Sequence, residues 1–437
     1  MNQQDFNGTF EEVTPQKKKI LLKMLAGESD EGIAKALQIT EATVRKHIQE
    51  LCGKFGLKND PGEHYSLRPQ LIALFAKYKP ELVNPELLSE YTPFIPEPNL
   101  PNSQELVDAT VYVERVPYES QCYEAIVKPG ALIRIKAPQQ MGKTLLLERV
   151  LDRARKQGYQ ALTLTFALAD STVFADLPQF SRWLCASVGQ NLGLPNKLDY
   201  YWDDIYGCNT NTTGYFQEYL LPSIDSPLIL ALDEVDLVFE HPTIAIDFCR
   251  LLRGWNDIAK RGDRNSALWK QLRLVIVHST DVYSSLDINY SPLGGVGLVV
   301  KLPELSLDEV LNLAQRHGLN WTAPQVEQLM GMVGGHPYLI QLALERIQSG
   351  DITLQKLLQA APTEAGIYSN HLRRHLGTLQ QYPELAAAFI EVVKTEGWVT
   401  LESAQVFKLH SMGLVKLQDN SVMPSCDLYR RYFRDRL

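Results

Sequence analysis

The sequence predicts an α/β protein: a parallel β-sheet with helices on both faces, preceded by an all-α unit and followed by helices and short strand-like pieces. Three observations carry this. Four continuous apolar runs, "ALIRIKA" (131–137), "QALTLTFAL" (160–168), "PLILALDE" (227–234) and "LRLVIVHST" (272–280), alternate with amphipathic helical stretches. Uninterrupted apolar strands of this kind belong to sheets covered on both faces. The first run passes directly into "PQQMGKTLLLERVLDRA", a loop and an amphipathic helix. The third delivers Asp233 and Glu234 at its C-terminal end, the edge of an open α/β sheet where ligands bind.

Residues 137–144, "APQQMGKT", follow the pattern G-x-x-x-x-G-K-[ST] with Ala137 in place of the first glycine. Strand, loop and helix is the setting that this phosphate-binding motif requires. Backbone N–H groups of such a loop and of the helix N-terminus cradle phosphates. Ala137, Pro138, Gln139, Gln140, Met141, Gly142, Lys143 and Thr144 are therefore the nucleotide-binding candidates. Lys143 would contact the β and γ phosphates, and Thr144 would place its hydroxyl on Mg2+. Gly142 lets the backbone approach closely. The first position needs glycine only where φ is positive or the packing excludes a Cβ, so alanine keeps the chemistry.

Asp233 would hold the same Mg2+, mostly through water, and Glu234 would polarise the attacking water as general base. The alternative for this pair is a solvated turn after a buried strand. The predicted fold class is thus a P-loop NTPase parallel sheet with flanking helices, with ATP and Mg2+ as cofactors. Thr280 ends the fourth run, beside His278 and Ser279, where a polar side chain can sense the γ-phosphate; strand-end capping is the competing reading. Asp236 reads as structural or as a polar partner at the edge of the site. In "GMVGGHPYLI" (331–340), Pro337 can pack on an adenine face and His336 can reach a phosphate, or the segment is a plain helix start.

At 437 residues the chain should form two to four domains. Hydrophobic residues at 45% and charged residues at 22% are ordinary for globular proteins. No apolar run reaches the roughly 18–20 residues of a membrane span, and "MNQQDFNGTFEEV" lacks a leader pattern. The expected location is the cytoplasm. Six cysteines without a C-x-x-C pair read as reduced core residues. The expected divisions are 1–78 helix-turn-helix, 79–105 Pro-rich linker, 106–302 ATPase core, 303–368 helical lid and 369–437 winged helix.

In residues 14–58, Thr14-Pro15, Ser29 and Thr40 cap three short helices. Their apolar stripes are Ile20, Leu21, Met24 and Leu25; Ile33, Ala34 and Leu37; and Val44, Ile48, Leu51 and Phe55. Residues 14–60 hold nine Lys/Arg against six Asp/Glu, net +3, leaving −11 elsewhere out of −8 in total. DNA contact and a solvated surface both account for that modest asymmetry. Prolines at 80, 85, 93, 96, 98 and 101 deny regular structure to the stretch that follows.

Two family resemblances follow from these residues. Residues 14–58, closely through "EATVRKHIQEL" and "KFGL", resemble the LuxR-type DNA-binding module, whose third helix enters the major groove. That implies Arg45, Lys46 and Gln49 toward bases or phosphates, with Thr43 and His47 near the backbone; a helical adaptor without DNA is the alternative. From "VYVERVPYE" (111–119) to about 345, through "LALDEVDLVFE", "LLRGW", "LRLVIVHSTDVY" and "GGHPYL", the chain resembles AAA-like ATPase domains of cyanobacterial multidomain proteins, related to the STAND class of signalling NTPases, an AAA+/STAND type. In that family an alanine commonly opens the loop, whereas "SPLGGVG" departs from its relatives.

The resemblance implies that nucleotide state controls assembly or signalling more than fast turnover. It also implies a homo-oligomer when ATP is bound, and an effector protein as partner. Arg253, or Arg250, is then the candidate finger acting in trans, unless it is only a surface-helix arginine; Arg115 is placed near the nucleotide base. "LYRRYFRDRL" (428–437) resembles the last helix of the winged-helix domains that follow STAND-type cores. His371 and His375, four apart without a third ligand, read as surface histidines. The leading function is a slowly hydrolysing ATP-dependent switch that binds DNA and acts as regulator or recruiter. The alternatives are a conflict-system signalling scaffold with a protein-binding head, and a transposition target-selecting ATPase.

Overall fold

A proline and two caps written into the sequence set the first three helices; Thr14 sits at the cap position of the first without a side-chain bond to it. Thr14 and Pro15 open α1 (Pro15–Leu25). The Ser29 hydroxyl accepts from Gly32 N at the start of α2 (Asp30–Leu37), and the Thr40 side chain accepts from Thr43 N at α3 (Glu41–Lys54). The three apolar stripes meet in one small core with Phe75, whose ring lies edge-on to Phe55 at 5.1 Å and to Phe10 at 5.6 Å. The protein is described by a computed structural model that covers residues 9–10, 13–37, 39–55, 67–68, 71–72, 74–75, 79, 82–84, 112–264, 266–280 and 293–437. Most of the Pro-rich stretch, and residues 288–292 of "INYSPLGGVG", lie outside the described residues. The chain divides into two units, Met1–Asp108 and Ala109–Leu437.

In the second unit, α4 (Tyr118–Ile126) leads into β1 (Leu132–Ala137), the loop, and α5 (Lys143–Arg155). Then follow β2 (Gln160–Thr165), α6 (Leu177–Asn191), α7 (Cys208–Tyr215) with a π turn over Phe216–Leu220, β3 (Leu228–Asp233), α8 (Pro242–Lys260), β4 (Leu272–Ser279) and β5 (Leu298–Lys301). The five strands are parallel in the order β2-β3-β4-β1-β5. All four apolar runs of the sequence are strands of this sheet, and β5 joins them at the edge. Successive side chains of a strand alternate between faces. Ile133, Ile135 and Ala137 pack with α4 and with Leu146, Leu147 and Val150 of α5. Leu132, Leu274 and Ile276 pack on the other face, against α6, α7 and α8. Each leucine, isoleucine or valine so removed from water stabilises the fold by about 1.5–3 kcal/mol.

Beyond the sheet come α9 (Leu307–Arg316), opened by a Ser306/Glu309 capping box, α10 (Ala323–Val333), α11 (Pro337–Gln348) and α12 (Leu354–Ala360). They share one core with α13 (Ser369–Gln381), α14 (Pro383–Lys394), β6 (Val399–Thr400), α15 (Ser403–Ser411), β7 (Val415–Gln418), β8 (Ser421–Pro424) and α16 (Asp427–Arg434). The last strands form an antiparallel sheet, β6-β8-β7. Gly335 sits where a Cβ would lie 2.2 Å from the Leu305 carbonyl, so only glycine fits between α10 and α11. Among the described residues no helix is long and apolar enough to cross a membrane. No disulfide joins the six cysteines; five are buried and Cys208 is half-buried.

Candidate functional site

The loop after β1 turns sharply because Gln140 and Gly142 both have positive φ, 60° and 84°. Gly142 is also the cap of α5 and offers no side chain to it, so the first N–H groups of that helix keep their capacity to bind an anion. A Cβ on Gly142 would lie 2.6 Å from an Arg115 guanidinium nitrogen. Ala137, the departure from the motif, has no positive φ and belongs to the core beneath α5. Lys143, half-buried, donates to the Ala137 carbonyl at 3.2 Å and the Pro138 carbonyl at 2.7 Å.

The sheet order puts β3 one strand away from β1, with β4 between them. The ends of these strands bring the two acidic residues toward the loop. Thr144 Oγ1 donates to Asp233 Oδ2 at 3.3 Å, across 89 residues of sequence. Asp233 is buried, at 8% exposure. Burial pushes its carboxyl up to about 6, against the Glu234 N–H at 2.9 Å, the Thr144 hydroxyl and the Lys143 charge, which pull it down. Glu234 is exposed with φ at 57°, and the Thr165 hydroxyl at the end of β2 donates to its Oε2. Asp236 accepts from Ser279 N at 2.8 Å, tying β3 to β4. Thr280 donates its N–H to the Ala137 carbonyl at 3.0 Å and its hydroxyl to the Ser411 carbonyl at 2.6 Å.

Arg115 is buried at 5% exposure beside the loop; burial lowers its pKa, opposed by the Glu309 charge. Pro337 opens α11, and His336 before it is buried. Arg253 and Arg250 are exposed on α8, which packs on the face opposite α5, and they pair with Asp257 at 3.6 Å and Asp247 at 2.9 Å. In the first unit Arg45, Lys46 and Gln49 are exposed on α3, with Thr43 and His47 half-buried. Arg45 pairs with Asp30 at 3.1 Å and Glu41 at 2.7 Å, and His47 Nδ1 lies 3.4 Å from Glu50.

Two histidines depart from expectation. His371 and His375 are not surface residues: they are 4% and 5% exposed, on the inner face of α13. Gln140 of the loop meets His371 Nδ1 at 2.9 Å and the Arg374 guanidinium at 3.1 Å, and His371 Nε2 meets the Tyr429 hydroxyl at 2.7 Å. The His336, His371 and His375 rings lie edge to face in sequence, at 5.2 and 4.7 Å. Burial, reinforced by Arg374, holds His336 and His375 down to about 3. The only sequence signal for this cluster was its i, i+4 spacing on an amphipathic helix. The Thr165–Glu234 bond was missed too; its signal was a polar residue closing the strand beside the acidic one.

The donor set fits a nucleotide triphosphate with a divalent cation. The helix N-terminus and Lys143 supply N–H donors, and Thr144 and Asp233 supply two oxygen ligands. Among the described residues no group of three or more His, Cys, Asp or Glu is placed to hold a metal, so a hard cation here would complete its shell with phosphate oxygens and water.

Residues 100–435 match the family model "AAA-like domain", and residues 11–62 match that of the bacterial regulatory proteins, luxR family. No curated protein matches the chain. Among solved structures, the Walker-type ATPase PABY2304 of Pyrococcus abyssi is similar at 14% identity and a TM-score of 0.52, covering 74% of this chain and 96% of that one. That likeness concerns the fold. The Aeropyrum pernix ORC2 protein, in ADPNP-ADP complexes, matches at 16% identity and a TM-score of 0.40, over 77% of this chain and 94% of that one.

Proposed function

The chain belongs to the AAA-like domain family, and on that premise we propose that it is an ATP-binding, slowly hydrolysing switch, with residues 14–58 contacting DNA. The reading draws most support from one observation: Thr144 and Asp233, 89 residues apart, meet at 3.3 Å beside the Lys143 ammonium and an uncapped helix N-terminus. Loop amides and Lys143 bind the triphosphate, and Thr144 and Asp233 hold Mg2+, which when bound offsets phosphate charge. Glu234 takes the proton of the attacking water, and Thr280 orients that water. Arg115 and Pro337 flank the base. Arg253 of a second copy is the proposed finger.

The divisions at 1–78, 79–105, 106–302, 303–368 and 369–437 fit this reading, the last as a winged helix of the STAND type. Its elements reach the loop through His371 and Arg374 on Gln140, and the end of β4 through Ser411 on Thr280. Phosphates entering the loop draw Lys143 off its own carbonyls and shift Gln140, so occupancy reaches the C-terminal elements. Nucleotide-dependent assembly in the cytoplasm and recruitment of an effector protein follow as the output. A signalling scaffold whose helical head binds protein, or a target-selecting ATPase on DNA, would use the same site.

Sizing the full chain with ADP or a slowly hydrolysed ATP analogue, with and without duplex DNA, tests the reading. A larger species with the analogue, and DNA retention that weakens with salt, are expected. A calorimetric titration with ATP and Mg2+ that gives no heat would sink it.

A further inference from the structure

On the face of the sheet away from α5, three neighbouring strands carry basic side chains at one level. Lys136 of β1 is in register with His278 of β4 and with Lys301 of β5. Side chains in register on adjacent strands share a face and stand roughly 5 Å apart. His278 is buried, Lys136 half-buried and Lys301 exposed, so the row runs from the interior outward. Arg134, two residues earlier on the same face, is 7% exposed and its Nε has no partner. Among the described residues no carboxylate pairs with Lys136 or Lys301. Burial, with the Lys301 and Arg134 charges, pulls the Lys136 ammonium below its ordinary value. Like charges directly across strands destabilise a sheet, and a charge drawn out of water needs a counter-charge.

The row lines a cavity of about 500 Å³, within the size range of small-molecule sites. His336, 9% exposed and with an unpartnered Nδ1, lines it as well. Leu302 and Val415 give it apolar walls, and Phe407 and Leu417 at its edge are 43% and 46% exposed. Its one carboxylate, Glu304, is engaged by Lys416 at 3.3 Å and by Gly335 N at 3.3 Å. Lys143, Thr144 and Asp233 do not line it; it shares with the loop only Ala137, Pro138 and Met141.

We propose that this cavity is a second anion site, taking a small phosphorylated molecule of about mononucleotide size. The phosphoryl group is held by Lys136 and Lys301, and the apolar body lies against Phe407 and Val415. The site is closed on one side by the segment whose Ser411 carbonyl holds Thr280, so its occupant would bear on the same strand end as the nucleotide.

The test is a calorimetric titration of phenyl phosphate into the full chain saturated with ADP and Mg2+, repeated in Lys136→Met, Lys301→Met and Lys143→Ala. One added equivalent is expected. It should weaken by more than about tenfold in either methionine variant, as loss of a charge-assisted bond implies, and persist in Lys143→Ala. Lys136→Arg should retain it. The thermal midpoint of Lys136→Met should hold or rise, because an uncompensated charge has been removed. Absence of the added equivalent, its loss in Lys143→Ala alone, or its survival in both methionine variants overturns the proposal. A fall in the Lys136→Met midpoint does so too, since the lysine would then already be held by a counter-charge of the chain. If ADP gives no heat while phenyl phosphate does, the nucleotide reading falls and the second site stands.

Discussion

The two cations proposed to meet phosphate, Arg45 in the first unit and Lys143 in the second, are held in opposite ways. Arg45 is exposed and lies between two carboxylates, Asp30 at 3.1 Å and Glu41 at 2.7 Å. Lys143 is half-buried and lies on two neutral carbonyls. Exposed ion pairs contribute about 0–1 kcal/mol, so Arg45 exchanges one anion for another at little cost and little gain. Lys143 exchanges neutral acceptors for charged ones, which adds charge–charge attraction in a half-buried setting where water screens it less. The difference teaches that one basic residue can tune an interaction while another decides it, according to what each gives up.

The sharpest way to break this comparison is Lys143→Ala. Nucleotide affinity should fall about 10²–10⁴-fold, as two charge-assisted bonds of about 1.5–3 kcal/mol each are lost; calorimetry with ATP and Mg2+ reads it. Next is Glu234→Gln, which should leave that affinity in place while steady-state phosphate release drops about a hundredfold or more. Arg45→Glu with Lys46→Glu should weaken duplex binding by about tenfold or more and flatten its salt dependence, read by fluorescence anisotropy at several salt concentrations. If duplex affinity stayed unchanged, the head would be a protein-binding module and the comparison would lose its first half.

The smallest effect is on stability against pH. His336 and His375 are held at about 3, below their ordinary 6.5, so the folded state favours their neutral forms. Their contribution is fully present above 6.5 and is lost as pH falls toward 3, at up to about 1.4 kcal/mol per pH unit for each. Asp233, raised to about 6 from 3.8, works in the opposite sense: its contribution is present below 3.8 and gone above 6. Two histidines outweigh one carboxyl, so the melting midpoint should fall from pH 7 to 5, and His375→Gln should shallow that slope.

The sheet was legible because its strands are continuous apolar runs and its loop follows a fixed spacing. The three N-terminal helices were legible because Pro15 opens the first and Ser29 and Thr40 cap the other two locally. The burial of His371 and His375 was not. It arises from α13 packing against Tyr429 of α16 and, at His371, against a loop 231 residues earlier in sequence, and one helix's periodicity shows which face is buried only when its polar residues are on the outside. The bond from Thr280 to Ser411 was hidden for the same reason, since its partner is a backbone carbonyl and backbone carbonyls leave no trace in composition. The row of Lys136, His278 and Lys301 was hidden because it depends on strand register, not on any one strand.

The 231 residues between Gln140 and His371 also set an order of events during synthesis. At about 5–20 residues per second the ribosome delivers the histidine roughly ten to fifty seconds after the glutamine. Through that interval the sheet and its loop can form, yet the grip of His371 and Arg374 on Gln140 does not exist. A nascent chain would therefore meet cellular nucleotide before it acquires the contacts that tie the loop to its late-emerging half.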